Sequence, residues 1–464
     1  MYPTEPTHTE ELEAFIEGER PLEKDVIYDY IKAFDTTKMD EGVKYYFSEN
    51  DINNRKIYTI KDGQKQEDRD ATNNKLPSGW HKLLVDQKVG YLVGDPITIG
   101  HKDGEDIAPL IDLLCEDFDD VLPELIKSAS NKGKEWLHPY IDPEGKFDYL
   151  VVPAQEVIPI YDNTKRKKLI GAIRFYDLDH DNITKVEFWT DQTVTYYEIL
   201  DGKIYLDVSV EVNPAPHFLY GEQGYGWGKV PFVEFKNNEE AVSDLTFYKK
   251  FIDAFDKTLS STQNTIDDIQ DFVYVLKGYE GQDLEEFMTN LKRYKVISVS
   301  DEQGAGVDTV RGEIPVEAVK EQLNRIRESI FQFGQGVDVG TDKFGNSPSG
   351  IALKFLFSLL DMKANVLERK FTKSLKQFMW FVCEYADITG IGEYDNQKLT
   401  FTFNKSMLMN DMEQVQIAQM STGIGISKQT IRENHPWVSD AELERERYEN
   451  EEPEFDLDQG EDDE

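Results

Sequence analysis

The chain has 464 residues and carries 90 acidic against 51 basic side chains, a formal net charge of −39. A surface this acidic repels nucleic acid and anionic membranes, which excludes DNA binding through a simple basic face. A hydrophobic content of 39% excludes global disorder, and a length of 464 residues is enough for roughly two to four packed regions.

The first 75 residues are acidic and favour helices, apart from the polar stretch 61–74, which predicts a mobile loop. The start lacks a positively charged segment, so we expect no signal peptide. No apolar run approaches the roughly 18–20 residues that a membrane span needs. The two cysteines, Cys115 and Cys383, are too far apart in sequence to suggest a disulfide framework or a zinc site.

Two helices are predicted before the middle of the chain. The first begins after Pro77 and ends before the Gly94-Asp95-Pro96 turn. Its residues at helical spacing are Trp80, Leu84, Val85, Lys88, Tyr91 and Leu92. The second extends from about residue 105 to 130, and Pro123 is expected to break or kink it.

Between about residues 135 and 235 the hydrophobic pattern changes to a period of two, which predicts antiparallel strands. The dipeptide Asp201-Gly202 indicates a tight hairpin. The basic run Lys165–Lys168 lies at a predicted hairpin tip, where a solvated turn is favoured over a phosphate site.

Helical periodicity returns from residue 237 to about 275 and again after Pro315, where apolar spacings of three and four alternate. A mixed segment, 276–314, separates these two helices. A glycine-rich loop, residues 334–350, follows the second. From Ser347, a good N-cap, a third helix of about 60 Å is predicted to continue to about residue 387.

The C-terminal part begins with a predicted strand, "KLTFTFN", at 398–404. Two helical patterns follow, the second with Ser427 as its N-cap. From residue 440 the chain is strongly acidic, and we expect a short helix followed by a disordered tail.

Two stretches resemble motifs for phosphate or metal binding, but each lacks residues that the motif requires. The glycine-rich stretch 221–229 has Val230 after its lysine and leads into a strand, unlike a phosphate-binding loop. The stretch 177–188 has aspartates at calcium-loop spacing but lacks the glycine and the final glutamate. We therefore predict no catalytic residue, no metal and no cofactor.

The three long helices suggest self-association, because a single copy would leave part of their apolar stripes uncovered. Copies placed side by side would cover them, and a head-to-tail contact that closes makes a ring. A ring of acidic subunits could enclose DNA without gripping it.

Five stretches in register resemble the portal proteins of tailed bacteriophages, of the SPP1-like type. The resemblance covers roughly residues 40–450. It is carried by "NNKLPSGWHKLLVDQKVGYLVGDPI", "GKEWLHPYIDPEGKFDYLVVPAQEVIPIYD", "GKVPFVEFKNNEEAVSDLTFYKKFIDAFDKTLSSTQNTIDD", "SPSGIALKFLFSLLDMKANVLERKF" and "GISKQTIRENHPWVSDAELERERYENE".

The resemblance implies an α+β portal fold with long stem and wing helices, an antiparallel β-rich wing and a small α/β clip, assembled as a ring. The ring would contain twelve copies, or thirteen in a recombinant preparation. It would lie at one vertex of the capsid in the virion, after assembly in the host cytoplasm. Its partners would be double-stranded DNA in the channel, the terminase large subunit, a head-completion or adaptor protein at the clip, and the major capsid and scaffolding proteins. Neither a membrane nor catalysis by this chain is implied.

Carried onto this sequence, the resemblance divides the chain into eight parts. These are the wing (1–237), stem helix 1 (238–275), the clip (276–314), stem helix 2 (315–334), the tunnel loop (335–348), the long wing helix and strand (349–404), the crown (405–439) and an acidic tail expected to be disordered (440–464).

Two groups of residues are the predicted sites. The tunnel-loop group that would face the DNA channel consists of Val339, Thr341, Asp342, Lys343, Phe344 and Asn346. Lys343 either contacts DNA or is a solvated loop residue, and Phe344 is expected to pack on a neighbouring loop or helix.

The intersubunit group on the stem helices consists of Asp253, Asp256, Arg325 and Arg327. Ion pairs between subunits are favoured over channel-lining charges for the two arginines, because acidic partners are abundant.

Two other classes of function stay open from the residues alone. One is a soluble hydrolase with a carboxylate pair, which would be a monomer or dimer that turns over a substrate. The other is a monomeric acidic scaffold or adaptor protein. A ring with a central hole would distinguish a portal from both the hydrolase and the scaffold, because neither of these is expected to form one.

Overall fold

The computed structural model of the chain describes most residues between 21 and 405 and shorter pieces on either side. The described residues are 14–15, 18, 21–61, 63–69, 71–114, 117–162, 164–165, 167–178, 183–221, 223–269, 273–277, 306–310, 315–338, 350–405, 419–420, 426–433, 435, 438 and 441–451.

Helices lie mainly in the first and last thirds of the described chain. In chain order they are α1 (Lys24–Ala33), α2 (Thr37–Tyr46), α3 (Trp80–Val93), α4 (Ala108–Ile111), α5 (Phe118–Lys132), α6 (Leu245–Ile269), α7 (Val316–Gly334), α8 (Gly350–Ile388), α9 (Lys428–Glu433) and α10 (Ala441–Glu451).

Strands fill the middle of the chain, as the alternating pattern predicts. They are β1 (Tyr58–Lys61), β2 (Gln64–Glu67), β3 (Thr98–His101), β4 (Lys134–Ile141), β5 (Phe147–Val152), β6 (Val157–Tyr161), β7 (Leu169–Asp177), β8 (Thr184–Trp189), β9 (Thr193–Leu200), β10 (Lys203–Leu206), β11 (Ala215–Pro216), β12 (Phe218–Tyr220), β13 (Gln223–Tyr225), β14 (Val233–Lys236), β15 (Val273–Lys277), β16 (Gly306–Val310) and β17 (Leu399–Thr402).

Two sheets and the two-stranded β12-β13 pair form the β-rich region, and every pairing in them is antiparallel. The larger has the order β10-β9-β8-β7-β6, with β11 also paired to β9, and the smaller has the order β14-β4-β5. Asp201 and Gly202 join β9 to β10 with φ angles of 50° and 73°, so the predicted tight hairpin is confirmed. The mixture of helices and antiparallel sheets confirms the α+β class.

The long helix α8 has 39 residues, which corresponds to about 60 Å. Neither glycine nor proline interrupts it after Gly350, and Gly390 follows its end with a φ of +72°. Its second half lies in the main hydrophobic core, where Phe371, Leu375 and Phe378 are fully buried. No helix in the described segments has the length and hydrophobicity of a membrane span.

Pro123 does not break its helix, so of the two predicted effects, a break or a kink, the break is wrong. Helix α5 runs from Phe118 to Lys132 with Pro123 inside it, and the chain leaves the helical path earlier, after the turn that ends at Leu114. The loss of one backbone hydrogen bond is outweighed by packing, because Leu125 and Ile126 on this helix are fully buried.

The polar stretch 61–74 is not simply a mobile loop. Strands β1 and β2 form a hairpin here, and the chain after it follows helix α6. Thr72 donates to Asp268 at 2.6 Å, and the backbone N–H of Leu76 donates to the Ser260 hydroxyl at 3.1 Å. Side chains of α6 therefore hold a segment that looks irregular in sequence.

Helix α6 is shorter than the predicted helix at 238–275. It begins at Leu245 and ends at Ile269, and residues 273–277 form β15, which pairs antiparallel with β16. Alternating β-branched residues, Val273 and Val275, favour a strand over a further helical turn. The pairing joins the two ends of the segment predicted as the clip, of which 278–305 and 311–314 lie outside the described residues.

A buried histidine lies where the two sheets meet. The ring of His138 packs at 4.6 Å from Phe232 and 4.8 Å from Trp189, and its Nδ1–H donates to the carbonyl oxygen of Pro231 at 2.5 Å. Burial lowers the pKa of His138 to about 3, against the opposing effect of the hydrogen bond to Pro231. This histidine is therefore neutral in the folded chain at neutral pH.

We expect the substitution His138→Gln to make the protein less sensitive to acid. Between the unfolded pKa of 6.5 and the folded value of about 3, only the unfolded chain takes up this proton, so stability falls as the pH is lowered. Between about pH 6 and pH 4, the free energy of unfolding of the variant should fall less steeply with decreasing pH than that of the wild type. The difference in slope should be about 1.4 kcal/mol per pH unit. The control Phe232→Leu weakens the same cluster without removing a titrating group and should keep the wild-type slope. Equal slopes for His138→Gln and the wild type would contradict the assignment.

Candidate functional site at the junction of the long helices

The junction is the place where α7 ends and the glycine-rich segment toward α8 begins. Gln335 terminates α7 in the left-handed conformation with a φ of 55°, and the N–H of Gly336 donates to the carbonyl of Phe331 at 3.0 Å. This is a hydrogen-bonded helix ending of the Schellman type. The direction in which the chain leaves α7 is therefore fixed.

Residues 337 and 338 are held on both sides. Gln87 of α3 makes two hydrogen bonds with the backbone of Val337, at 2.8 and 3.0 Å, and the Val337 side chain is buried. Arg327 of α7 pairs with Asp338 at 2.5 Å. The base of the segment is thus part of the packed structure.

Two glycines of the segment are needed for close packing. A Cβ atom on Gly334 would lie 2.5 Å from a methyl group of Leu84, and one on Gly336 would lie 2.2 Å from the other. Leu84 itself is buried, so it cannot move away. The sequence suggests that the glycines of 334–350 provide mobility, but these first two let α3 approach the chain.

A buried ionic network lies beside this junction. Lys88 of α3 and Lys363 of α8 contact the same carboxylate oxygen of Asp244, at 2.6 and 2.9 Å. Asn237 accepts a hydrogen bond from Lys88 at 2.7 Å and donates one to Asp244 at 2.9 Å. Lys363 also donates to the carbonyl of Gly334 at 3.0 Å. The network thus connects α3, the start of α6, α8 and the end of α7.

Burial and charge act in opposite directions on these groups. Burial alone would raise the pKa of Asp244, but the two lysines and the Asn237 hydrogen bond hold it well below its ordinary value. Burial lowers the pKa of Lys88 to about 8, although the charge of Asp244 opposes that shift. At neutral pH the network is two cations on one carboxylate, and this arrangement is stable only while all members are present.

The four residues predicted as intersubunit partners all have partners inside the chain. Asp256 is fully buried and accepts hydrogen bonds from the Asn50 side chain at 2.6 Å and the Ser78 backbone at 3.0 Å. Burial raises the pKa of Asp256, against these two hydrogen bonds. Asp256 therefore already has hydrogen-bond partners within its own chain.

The remaining three lie nearer the surface. Asp253 is half-buried and pairs with Lys249 at 2.9 Å. Arg325 is 73% exposed and contacts Glu321 on its own helix at 2.8 Å. Arg327 holds Asp338, as described above. The structure therefore brings Arg327, but not Arg325, to the junction.

Comparison with known proteins identifies the family. Residues 26–454 match the family described as phage portal protein, SPP1 Gp6-like. The portal protein of Bacillus phage SPP1 is 42% identical over 462 residues, covering 97% of this chain and 92% of that protein. The portal protein of Clostridium phage phiCD119 is 34% identical over 427 residues, covering 87% of this chain and 90% of that protein.

The chain belongs to this family of phage portal proteins.

Membership confirms the resemblance found in the sequence and gives the chain the function of a phage portal. Portal proteins are structural components of the virion rather than enzymes. Within the described residues, no group of three His, Cys, Asp or Glu side chains is placed to hold a metal ion.

The tunnel-loop residues of this portal stay a prediction. Val339, Thr341, Asp342, Lys343, Phe344 and Asn346 lie outside the described residues. What the structure adds is the ending of α7 that precedes them and the contacts that fix residues 335–338.

The buried network was missed as a site in the sequence, although one signal pointed to it. Lys88 lies among Leu84, Val85, Tyr91 and Leu92 on the apolar face of the predicted helix. A lysine on a buried face needs an anion, and that requirement predicts a partner carboxylate. Nothing in the sequence alone selects Asp244 from 90 acidic residues.

Proposed function

We propose that twelve copies of this chain form the ring through which double-stranded DNA enters and leaves the capsid. The observation that carries the proposal is an apolar stripe left exposed along the first half of α8. Its residues are Phe355, Leu359, Met362 and Val366, at spacings of four, three and four.

The opposite face of the same helix is buried in its own chain. Leu360, Ala364 and Leu367 are at most 2% exposed, whereas Phe355 is 76% and Met362 60% exposed. A helix segment that is apolar on both faces belongs in an interior. A second copy of the chain supplies that interior.

Exposed phenylalanines on α6 and α7 make a second apolar patch. Phe247 is 55% and Phe333 is 52% exposed, and the ring of Phe333 stacks on Phe251 at 5.1 Å. Two different patches on one chain fit a head-to-tail contact, and such contacts close into rings. We assign this contact to the proposed stem and wing helices.

In the proposed ring, each helix and each exposed charge has an assigned place. Helices α6 and α7 form the stem, β15 and β16 begin the clip, and the segment after Asp338 faces the channel. Arg325 is the exposed stem cation that pairs with a neighbouring copy. Its contact with Glu321 is largely solvated and worth little, so exchanging the partner costs little.

The charge of the chain suits a conduit for DNA. Affinity for DNA grows with each phosphate that a lysine or arginine neutralises, and the DNA must be released again to move. With a net charge of −39, the ring would offer few such contacts. We infer that terminase docks on this ring during packaging and that a head-completion protein binds the clip afterwards, with capsid and scaffolding proteins around the wing. Assembly takes place in the host cytoplasm.

Native mass spectrometry and negative-stain microscopy of the purified chain test the ring. We expect a closed ring of about twelve copies with a central hole. A monomer at every protein and salt concentration would instead support the alternative of a monomeric acidic scaffold or adaptor protein.

Substitution of Lys343 tests contact with DNA. Lys343→Ala should leave the ring intact but reduce packaged or retained DNA by about twofold or more, because each copy loses one phosphate contact. Lys203→Ala, an exposed lysine on β10, is the control and should behave as wild type. Unchanged DNA content in Lys343→Ala particles would show that Lys343 is a solvated loop residue.

A further inference from the structure

A deep groove lies between the two sheets and helix α8, away from the junction described above. Its volume is about 1130 Å³, and it is lined by parts of β4, β6 and β14, by the turn between β6 and β7, and by α8. Eight lysines and three glutamates line it. An excess of five positive charges in one concavity is unexpected in a chain with a net charge of −39.

The lysines of the groove repel one another. Burial lowers the pKa of Lys370, and the charges of Lys373 and Lys236 lower it further. Burial likewise lowers the pKa of Lys229, where Glu384 opposes the shift and Lys168 adds to it. Positive charge is thus concentrated here beyond what the three glutamates of the groove wall balance.

Ion pairs inside the groove account for only part of the charge. Glu234 lies 3.3 Å from both Lys134 and Lys236, and Lys370 pairs with Glu239. Other lysines of the wall come from the β6–β7 turn, the approach to β14 and α8. The sequence favours a solvated turn for the first of these, and the fold brings that turn opposite α8.

Apolar side chains lie between the lysines of the groove wall. Phe34, Leu169 and Trp380 are half-buried in the groove wall, and the Lys229 ammonium lies 3.4 Å from the centre of the Trp380 ring. A ligand that fits this wall carries negative charges and a few apolar side chains.

We propose that the groove binds the acidic C-terminal segment of this protein, residues 452–464, from its own or a neighbouring copy. The segment "EPEFDLDQGEDDE" has eight acidic residues, no lysine or arginine, and two apolar side chains, Phe455 and Leu457. In an extended chain these two lie on the same side, about 7 Å apart, with carboxylates between and around them. The alternation of acidic and apolar side chains in the segment matches the groove wall, where lysines lie between apolar side chains.

A DNA duplex suits the groove less well. The three glutamates in the wall would repel phosphates, and a duplex keeps its bases stacked inside, so it presents little apolar surface to Phe34, Leu169 and Trp380.

The experiment uses the full-length chain with the eight acidic residues of 452–464 changed to the corresponding amides, which leaves the groove free. A fluorescent peptide with the wild-type sequence 452–464 is titrated and its anisotropy measured. We expect saturable binding that weakens with salt. Adding Lys168→Glu, Lys229→Glu and Lys373→Glu should weaken binding by about tenfold or more. Lys168 and Lys373 are exposed, whereas Lys229 contacts the Trp380 ring, so circular dichroism must show that the triple variant keeps its fold.

The matched control carries Lys24→Glu, Lys65→Glu and Lys203→Glu, three exposed lysines outside the groove, and should bind as before. A peptide with Phe455 and Leu457 changed to serine should bind about tenfold more weakly. Equal loss in both lysine triples, equal binding of the serine peptide, or groove-dependent binding of a short DNA duplex in place of the peptide would each overturn the proposal.

Discussion

Replacing Asp244 with asparagine is expected to lower the free energy of unfolding by about 3–5 kcal/mol. The side chains of Lys88 and Asp244 are 0% and 4% exposed, and Lys363 reaches the same oxygen with only 13% exposure. Asparagine keeps the size of the side chain but leaves two ammonium groups near each other without an anion. Chemical denaturation monitored by tryptophan fluorescence measures the loss.

An exposed ion pair on α3, the helix that carries Lys88, provides the control. Lys82 and Asp86 of α3 are 2.7 Å apart with side-chain exposures of 52% and 44%. Asp86→Asn should cost about 1 kcal/mol or less, because solvent screens an exposed pair. Similar losses for Asp244→Asn and Asp86→Asn would show that the buried network does not hold the junction.

The pH dependence of the difference gives a second check on the Asp244 prediction. The pKa of Lys88 in the fold is about 8, below its ordinary 10.5, so between these values only the unfolded chain keeps that proton. Stability due to Lys88 therefore rises with pH through this window. In Asp244→Asn the lysine loses its proton at a still lower pH, so the cost of the substitution should shrink as the pH rises toward about 8 and level off above it.

The network also explains how the junction depends on distant parts of the chain. Lys363 contacts Asp244 on one side and the carbonyl of Gly334 on the other. Gln87, one residue before Lys88, holds Val337. Loss of Asp244 should therefore loosen the end of α7, and with it the start of the segment that we propose to face DNA.

The sequence predicts where several helices begin, because the signal for a helix start lies in the adjacent residues. Helix α7 begins directly after Pro315, and α9 begins with the Ser427 hydroxyl accepting the N–H of Thr430 at 3.1 Å. Both signals are local. The antiparallel region follows equally from local alternation and turns.

Contacts between distant residues could not be predicted in this way. Asn50 bonds to Asp256 across 206 residues of sequence, and nothing in either neighbourhood indicates the other. The same holds for Lys88 with Asp244 and for the lysines that meet in the groove. Sequence patterns indicate which face of a helix is buried, whereas the fold decides which polar group it meets.

Replacing Phe355 and Met362 together with glutamate is expected to convert rings to monomers. Both side chains are exposed on the apolar stripe of α8, and a buried contact between copies would have to cover them. Placing two unpaired carboxylates per copy in such a contact costs several kcal/mol at every interface of the ring. Native mass spectrometry at a fixed protein concentration should show the loss of rings, while circular dichroism stays unchanged.

The double variant Val208→Glu and Leu219→Glu separates the effect of position from that of added charge. These side chains are 88% and 66% exposed, lie in the β-rich region, and receive the same two carboxylates. If general repulsion in so acidic a protein dissolved the ring, both double variants would be monomers. If the stripe is the contact, only the α8 variant dissociates, because only there does the carboxylate replace a packed side chain. Intact rings in the α8 variant would place the contact elsewhere on the chain.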